Sequence, residues 1–198
     1  LEKSYGEHLG ISDEEYTNKG ANFHSSAKEV LKKSEIILKV NCPSTDEINL
    51  IKDTSILIGQ FDPFSNKDML NQLIKKGIRV FSLNLLPRIT RAQSMDVLSS
   101  QANLAGYRAV IESVEEFGKV VPMMMTAAGT ITPAKVLVIG AGVAGLQAIA
   151  TAKRLGGIVS ATDVRTTAKE QVESLGGKFL SVDSAENLET KSGYAKEA

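Results

Sequence analysis

Gly140, Gly142 and Gly145 stand in the spacing G-x-G-x-x-G, and Asp163 follows about twenty residues on. Each residue type has a separate job. The first glycine permits a tight turn, the second lets backbone approach a pyrophosphate, and the third lets a helix pack closely on a strand. Val143 and Ala144 lie between the last two glycines and open a helical pattern. A helix N-terminus there offers unpaired N–H groups and the positive end of a dipole to phosphates. Asp163 ends the next apolar run, where a carboxylate accepts hydrogen bonds from the hydroxyls of an adenosine ribose. A carboxylate also repels a 2′-phosphate, so the spacing favours NAD over NADP. Arg165, two residues further, softens that preference.

A second polar group lies upstream, in P-R-I-T-R-A-Q-S-M-D-V-L-S-S at residues 87–100. Arg88, Gln93, Asp96 and Ser99 crowd together after a strand end, and Asp96 and Ser99 are three apart, on one helical face. Two readings stay open. Ser94 as N-cap with Asp96 in the first turn is a capped helix start and nothing more. Loops at strand ends of α/β domains also bind ligands, and the cap alone leaves Arg88, Gln93 and Ser99 unexplained.

The elements that must position these residues are short and alternating. Residues 136–139 form an apolar strand. A helix follows with Val143, Leu146, Ile149 and Ala150 on one face, stopped by Gly156-Gly157, and residues 158–161 form the next strand. Upstream, residues 35–40, 55–59 and 79–83 read as strands, and 46–52 and 66–76 as helices. This strand-helix alternation predicts parallel sheets covered by helices. Residues 1–33 supply an early helix or two. The longest helical pattern runs over residues 94–118, about 37 Å at the α-helical rise. It has two apolar stripes, one through Met95, Leu98, Ala102, Ala105 and Ala109, the other through Tyr107, Val110, Val114 and Phe117. That predicts a helix crossing between two bodies. Met123–Met125 read as flexible core filler, and residues 126–133 as a loop. The expected fold is α/β: two Rossmann-like parallel-sheet domains joined by a long helix, both truncated. Residues 1–120 form the first domain and 121–198 an incomplete nucleotide-binding domain. Only about 60 residues follow the fingerprint, room for about three strands, where a complete doubly wound sheet has five or six.

The 198 residues carry 23 basic and 23 acidic side chains, so no global field draws nucleic acid or an anionic membrane. Tryptophan is absent, which removes a main base-stacking platform. The single cysteine, Cys42, excludes an internal disulfide and reads as structural. No apolar run reaches the roughly 18 to 20 residues of a spanning helix. No signal peptide and no metal-ligand pattern is read.

Residues 87–110 resemble the signature loop and helix of the NAD(H)-binding domain of proton-translocating NAD(P) transhydrogenase, in the alanine dehydrogenase/transhydrogenase family. The resemblance continues in M-T-A-A-G-T at 125–130, the fingerprint at 140–156, A-T-D-V-R at 161–165, K-E-Q-V-E-S-L-G-G-K-F at 169–179 and G-Y-A-K-E at 193–197. It implies an NAD(H)-binding dimer outside the bilayer. Hydride passes directly from NADH to NADP+ on a partner domain, coupled to proton movement through a membrane domain. The implied location is peripheral, on the cytoplasmic side of the bacterial inner membrane or the matrix side of the mitochondrial one. By the same resemblance Arg88, Asp96 and Ser99 orient the nicotinamide carboxamide, and Gln93 lies at the nicotinamide ribose. Gly140 through Gly145 hold the pyrophosphate, and Asp163 with Arg165 the adenosine ribose. The chain lacks the family's first strand and everything beyond G-Y-A-K-E, so a non-catalytic NAD-binding remnant stays an alternative. Alanine dehydrogenase is another. Its resemblance implies a Lys and a His on the first domain. Lys39 matches the Lys, but the His position falls near Gln60, which cannot exchange a proton at neutral pH. His8 and His24 lie in the early helical region.

Overall fold

Two parallel three-stranded sheets organise the chain, one in each of two compact units, Leu1–Asp96 and the part from Val97 onward. This computed structural model describes residues 1–87 and 89–181. Arg88 and the resemblance block at 193–197 lie outside the described residues.

The first unit opens with α1 (Asp13–Asn18) and α2 (Ala27–Lys33). It then alternates β1 (Ile36–Lys39), α3 (Thr45–Leu50), β2 (Ile56–Gly59), α4 (Lys67–Lys75) and β3 (Arg79–Ser82). The strands lie in the order β1-β2-β3, all parallel. Serine caps set two helix starts. Ser12 in α1 and Ser44 in α3 each close a capping box with a glutamate three residues on. Leu31, Ile37, Ile48, Ile51, Leu57, Phe61, Leu73 and Ile78 form the core under one face of the sheet.

The unit ends in a 3-10 helix, Thr90–Met95, and the chain then breaks at Asp96, with φ −79° and ψ 81°. Helix α5 (Val97–Phe117) starts only there. The apolar spacing predicts one helix from residue 94 with Ser94 as its cap. Instead Asp96 occupies the place ahead of the first helical residue, where aspartate tolerates non-helical backbone. The division into units therefore falls before α5, not at residue 120, because α5 packs against the next helix of the second unit.

The second unit continues with a hairpin of β4 (Met124–Thr126) and β5 (Gly129–Ile131). Then come β6 (Lys135–Ile139), α6 (Val143–Arg154), β7 (Ile158–Thr162), α7 (Ala168–Ser174) and β8 (Lys178–Phe179). The sheet order is β6-β7-β8, parallel, with Ile139 opposite Thr162. Val110, Ala141, Ile149, Ala152, Val159, Ala161, Ala168 and Val172 form its core.

Three expectations are corrected here. Residues 126–133 are not a plain loop, because six residues of the stretch around Ala127-Ala128 pair as antiparallel strands. Met123–Met125 are not core filler, with exposures of 61%, 43% and 82%. And α5 is covered on one side only. Gly106 and Val110 are buried, whereas Leu98, Leu104, Tyr107 and Phe117 are exposed.

Each sheet also leaves one apolar face open. In the first, Ile36, Leu38 and Phe81 are exposed. In the second, Leu137, Ile139 and Ile158 are. Ile139 at 81% exposure and Ile149 at 0% make a matched pair within one unit. Ile149→Ala is expected to cost about 2–5 kcal/mol in urea unfolding. Ile139→Ala should stay within about 1 kcal/mol. Equal losses would show that the open face is covered in solution.

Candidate functional site

Strand β6 ends at Ile139, and the chain turns at once into α6. Gly140 makes that turn with φ +91°, backbone that side-chain-bearing residues rarely adopt. Its N–H still donates to Thr162 O of β7 at 2.8 Å, so the turn stays registered to the sheet. Ala141 is fully buried. Gly142 is the N-cap of α6 and has no side chain to cap the first turn. A Cβ built on Gly142 meets nothing within 4 Å, so the space over this backbone is open. A Cβ on Gly145 would run into the Gly140 carbonyl oxygen. The three glycines thus divide the work as their spacing predicts: turn, open approach, close packing. Val143 and Ala144 supply first-turn amides beside that open space.

Asp163 follows the last residue of β7, and its side chain is 6% exposed. Its Oδ2 accepts from Ala141 N–H at 2.6 Å and from Arg165 Nη2 at 3.0 Å. Its Oδ1 accepts from Arg165 N–H at 2.8 Å and from Arg165 Nε at 2.9 Å. A carboxylate has about four lone-pair sites, and here four donors fill them. Burial alone would raise the Asp163 pKa. The side-chain hydrogen bonds of Arg165, the two backbone donors and the guanidinium charge outweigh it and lower the pKa from 3.8 to about 2. The acid is therefore a fixed charge at the edge of the glycine turn. Ala141 is the residue that spacing alone missed. It stands between two fingerprint glycines, but its bond to Asp163 exists only once β6 and β7 pair.

The structure therefore joins Gly140 through Gly145, Asp163 and Arg165 in one place. Of the upstream group, Gln93 is exposed on the 3-10 helix, and its carbonyl accepts from Asp96 N–H at 3.2 Å. Asp96 and Ser99 are half-buried, Asp96 just before α5 and Ser99 in its first turn. Arg88 lies outside the described residues.

The residues that bear on a dehydrogenase sit in the first unit. Lys39 Nζ lies 2.9 Å from Glu47 Oε1, and Glu47 Oε2 accepts from Ser44 N–H at 2.7 Å. Burial works to raise the Glu47 pKa, yet the bonds from Lys39 and Ser44 hold it below its ordinary value. Lys39 is thus half of an ion pair. Gln60 follows β2, and its N–H donates to Val40 O at 3.1 Å. His24 Nδ1 lies 3.4 Å from Glu29 Oε2 in the N-terminal part of the unit, and His8 is on a 3-10 helix. The Cys42 thiol donates to Phe61 O at 3.0 Å, and burial followed by the Asp62 charge pushes its pKa up. A thiol held protonated is a weak nucleophile.

The Asp163 cluster sets an acid limit. A carboxyl with a depressed folded pKa stabilises the fold fully above its unfolded value, near 3.8, and loses that contribution as pH falls towards about 2. The loss should be about 2 kcal/mol over that window. Asp163→Asn should remove this part of the pH slope of urea unfolding. An unchanged slope in the variant would assign the acid sensitivity elsewhere.

Comparison with known proteins agrees with this geometry. Family models described as the N-terminal and C-terminal domains of alanine dehydrogenase/PNT match residues 1–105 and 109–197. An NAD(P) transhydrogenase subunit alpha polypeptide of Rhodospirillum rubrum is 52% identical over 204 residues, covering 100% of this chain and 53% of that protein. Its Rickettsia prowazekii namesake is 50% identical over 202 residues, with 100% and 53% covered. A crystal structure of transhydrogenase from Sinorhizobium meliloti superposes with a TM-score of 0.85 at 52% identity, over 91% of this chain and 54% of that one. The chain spans about half the length of these relatives. With both family models matched and half of its residues shared with such relatives, the chain belongs to the alanine dehydrogenase/PNT family.

Proposed function

We propose that this chain is the NAD(H)-binding part of a transhydrogenase that passes hydride directly between NADH and NADP+, coupled to proton translocation by partner domains. The observation that carries the reading is the joined site: an open, uncapped glycine turn at a helix N-terminus with an ionised Asp163 at its edge. When bound, NADH supplies the hydride. The protein's residues bind and orient. First-turn amides at Gly142–Gly145 receive the pyrophosphate. Asp163 receives the adenosine ribose, whose hydroxyls take the place of bonds now made by the Arg165 guanidinium. Asp96 and Ser99, with Arg88, orient the carboxamide, and Gln93 lies at the nicotinamide ribose. No side chain needs to act as acid or base, so catalysis is positioning.

NADP(H) belongs on a partner domain in this reading, and the chain works as a homodimer. It sits peripherally, on the cytoplasmic or matrix side, through partners that cross the membrane. Among the described residues no helix is long and apolar enough to do so. The dehydrogenase alternative is disfavoured by the Lys39–Glu47 pair and by Gln60 in the place of a histidine. An alanine-dependent NAD+ reduction assay should show no turnover.

Two sets of variants test the proposal. The parent chain should bind NADH more tightly than NADPH in parallel titrations, and equal or tighter NADPH binding would sink the assignment. Gly142→Val should lose NADH while keeping the parent's circular dichroism spectrum, because the side chain enters open space rather than the core. In a complete enzyme, or in this chain joined to the rest of its subunit and mixed with an NADP-binding domain, Gln93→Asn should slow single-turnover hydride transfer by about a hundredfold. NADH affinity should change only a few-fold. An intact transfer rate would reduce residues 87–100 to a capped helix start.

A further inference from the structure

A glycine in the middle of a long helix lowers helix propensity, so it needs a packing reason. Gly106 has one. It is buried in α5, and a Cβ there would overlap the Ala144 carbonyl oxygen and stand 2.8 Å from the Ala144 carbonyl carbon and 2.9 Å from its Cα. All three atoms are backbone, so no side chain can swing away. Ala144 lies in the first turn of α6, between the second and third fingerprint glycines. The backbone of α5 therefore seats directly on the turn that faces the open space over Gly142.

The contact has a register. Asn103 Nδ2 donates to Gln147 Oε1 at 3.2 Å, one turn to either side of the Gly106–Ala144 contact. Gln147 Nε2 in turn donates to Thr151 Oγ1 at 3.1 Å, and Thr151 is buried. Val110, a turn further along α5, shares a core cluster with Ala141. The pairings rise along α5 as they fall along α6, so the helices run antiparallel. Ser99, Asn103, Gly106 and Val110 are spaced by four, three and four residues and share one face of α5. The same rigid helix thus carries Ser99 at its start and the seat for Ala144 about 10 Å further along its axis.

We infer that Gly106 is a positioning residue for the dinucleotide, fixing the phosphate-binding turn of α6 on α5 at a set distance from Ser99. The inference rests on the proposed nucleotide site and deepens it. A side chain at 106 has to part the two helices at the crossing. That displaces the first-turn amides from the pyrophosphate without touching the ligand.

The test uses the full chain with NADH as probe. Gly106→Ala should weaken NADH at least tenfold, and at saturating NADH the 31P resonances of the bound pyrophosphate should move from their parent positions. A purely structural defect lowers the folded fraction but leaves the bound signal where it was. Ala105→Gly is the control, since it lowers the helix propensity of α5 at an exposed neighbour that adds nothing at the crossing. It should retain NADH affinity within twofold even where its thermal midpoint falls as far. Asn103→Ala, which removes the bond to Gln147 and adds no bulk, should weaken NADH about threefold with a smaller 31P shift, and it carries the test if Gly106→Ala does not fold. Parent-like affinity and 31P positions in Gly106→Ala overturn the inference. So does a loss in Ala105→Gly that tracks its stability, or an unchanged Asn103→Ala where that variant carries the test. A parent chain that binds no NADH overturns the nucleotide reading, and this inference with it.

Discussion

The bond from Ala141 N–H to Asp163 Oδ2, at 2.6 Å, ties the end of one strand to the turn after its neighbour. Parallel strands pair through backbone along their length, but the chain leaving them is free to splay. Here Gly140 N–H still bonds Thr162 O, and one residue later the side chain of Asp163 takes over the pairing. The glycine turn is thereby held in a single conformation although two of its residues lack side chains to pack. Ala141 is fully buried at this point, so the bond works in a region with little competing water. The direction of the first α6 amides follows from this constraint, and with it the ability of the turn to meet a phosphate.

Local features of this fold were readable in the residues, and long-range ones were not. The fingerprint turn is a local object: its three glycines need only the strand before and the helix after, both visible as short patterns. The strands at 36–39, 56–59 and 135–139 announced themselves as apolar runs. The start of α5 did not, because Ser94 and Asp96 are both good cap residues and spacing does not choose between them. The backbone chose Asp96. The hairpin of β4 and β5 escaped for a different reason. Its strands pair only with each other and bury none of their residues, so no apolar alternation marked them. The two stripes on α5 could name apolar residues but not which side a neighbour would cover. Gly106 carried a signal that went unread, a glycine inside a helical pattern, whose cost calls for a reason in the tertiary structure.

The open faces of the two sheets follow the same logic. Parallel sheets usually have both faces covered, and their strands then read as continuous apolar runs rather than alternating ones. The runs I-I-L in β1, I-L-I in β2 and V-L-V-I in β6 have that character. One face of each sheet is met by helices from its own unit, while Leu38 and Ile139 on the other faces are 75% and 81% exposed. The strand sequences thus specify two covered faces where the described residues cover one. Relatives about twice as long carry chain enough to cover the second.

Arg165 gives the site its charge balance. Left alone, a carboxylate with 6% exposure would be costly to keep ionised. The guanidinium offsets that cost by binding both carboxylate oxygens, and its own side chain is only 18% exposed. A ribose hydroxyl that reaches Asp163 exchanges one hydrogen bond for another, so the affinity gained there is a difference between two good partners rather than the full strength of either. A 2′-phosphate meets a different balance. It has no proton to offer the acid at neutral pH beyond its second ionisation, and it must approach a carboxylate already ionised down to pH about 2. The neighbouring guanidinium lessens the repulsion without removing it, since moving towards the phosphate means leaving a buried acid without its ion-pair partner. Selection between the two nucleotides is therefore set by the pair, Asp163 with Arg165, and not by the acid alone.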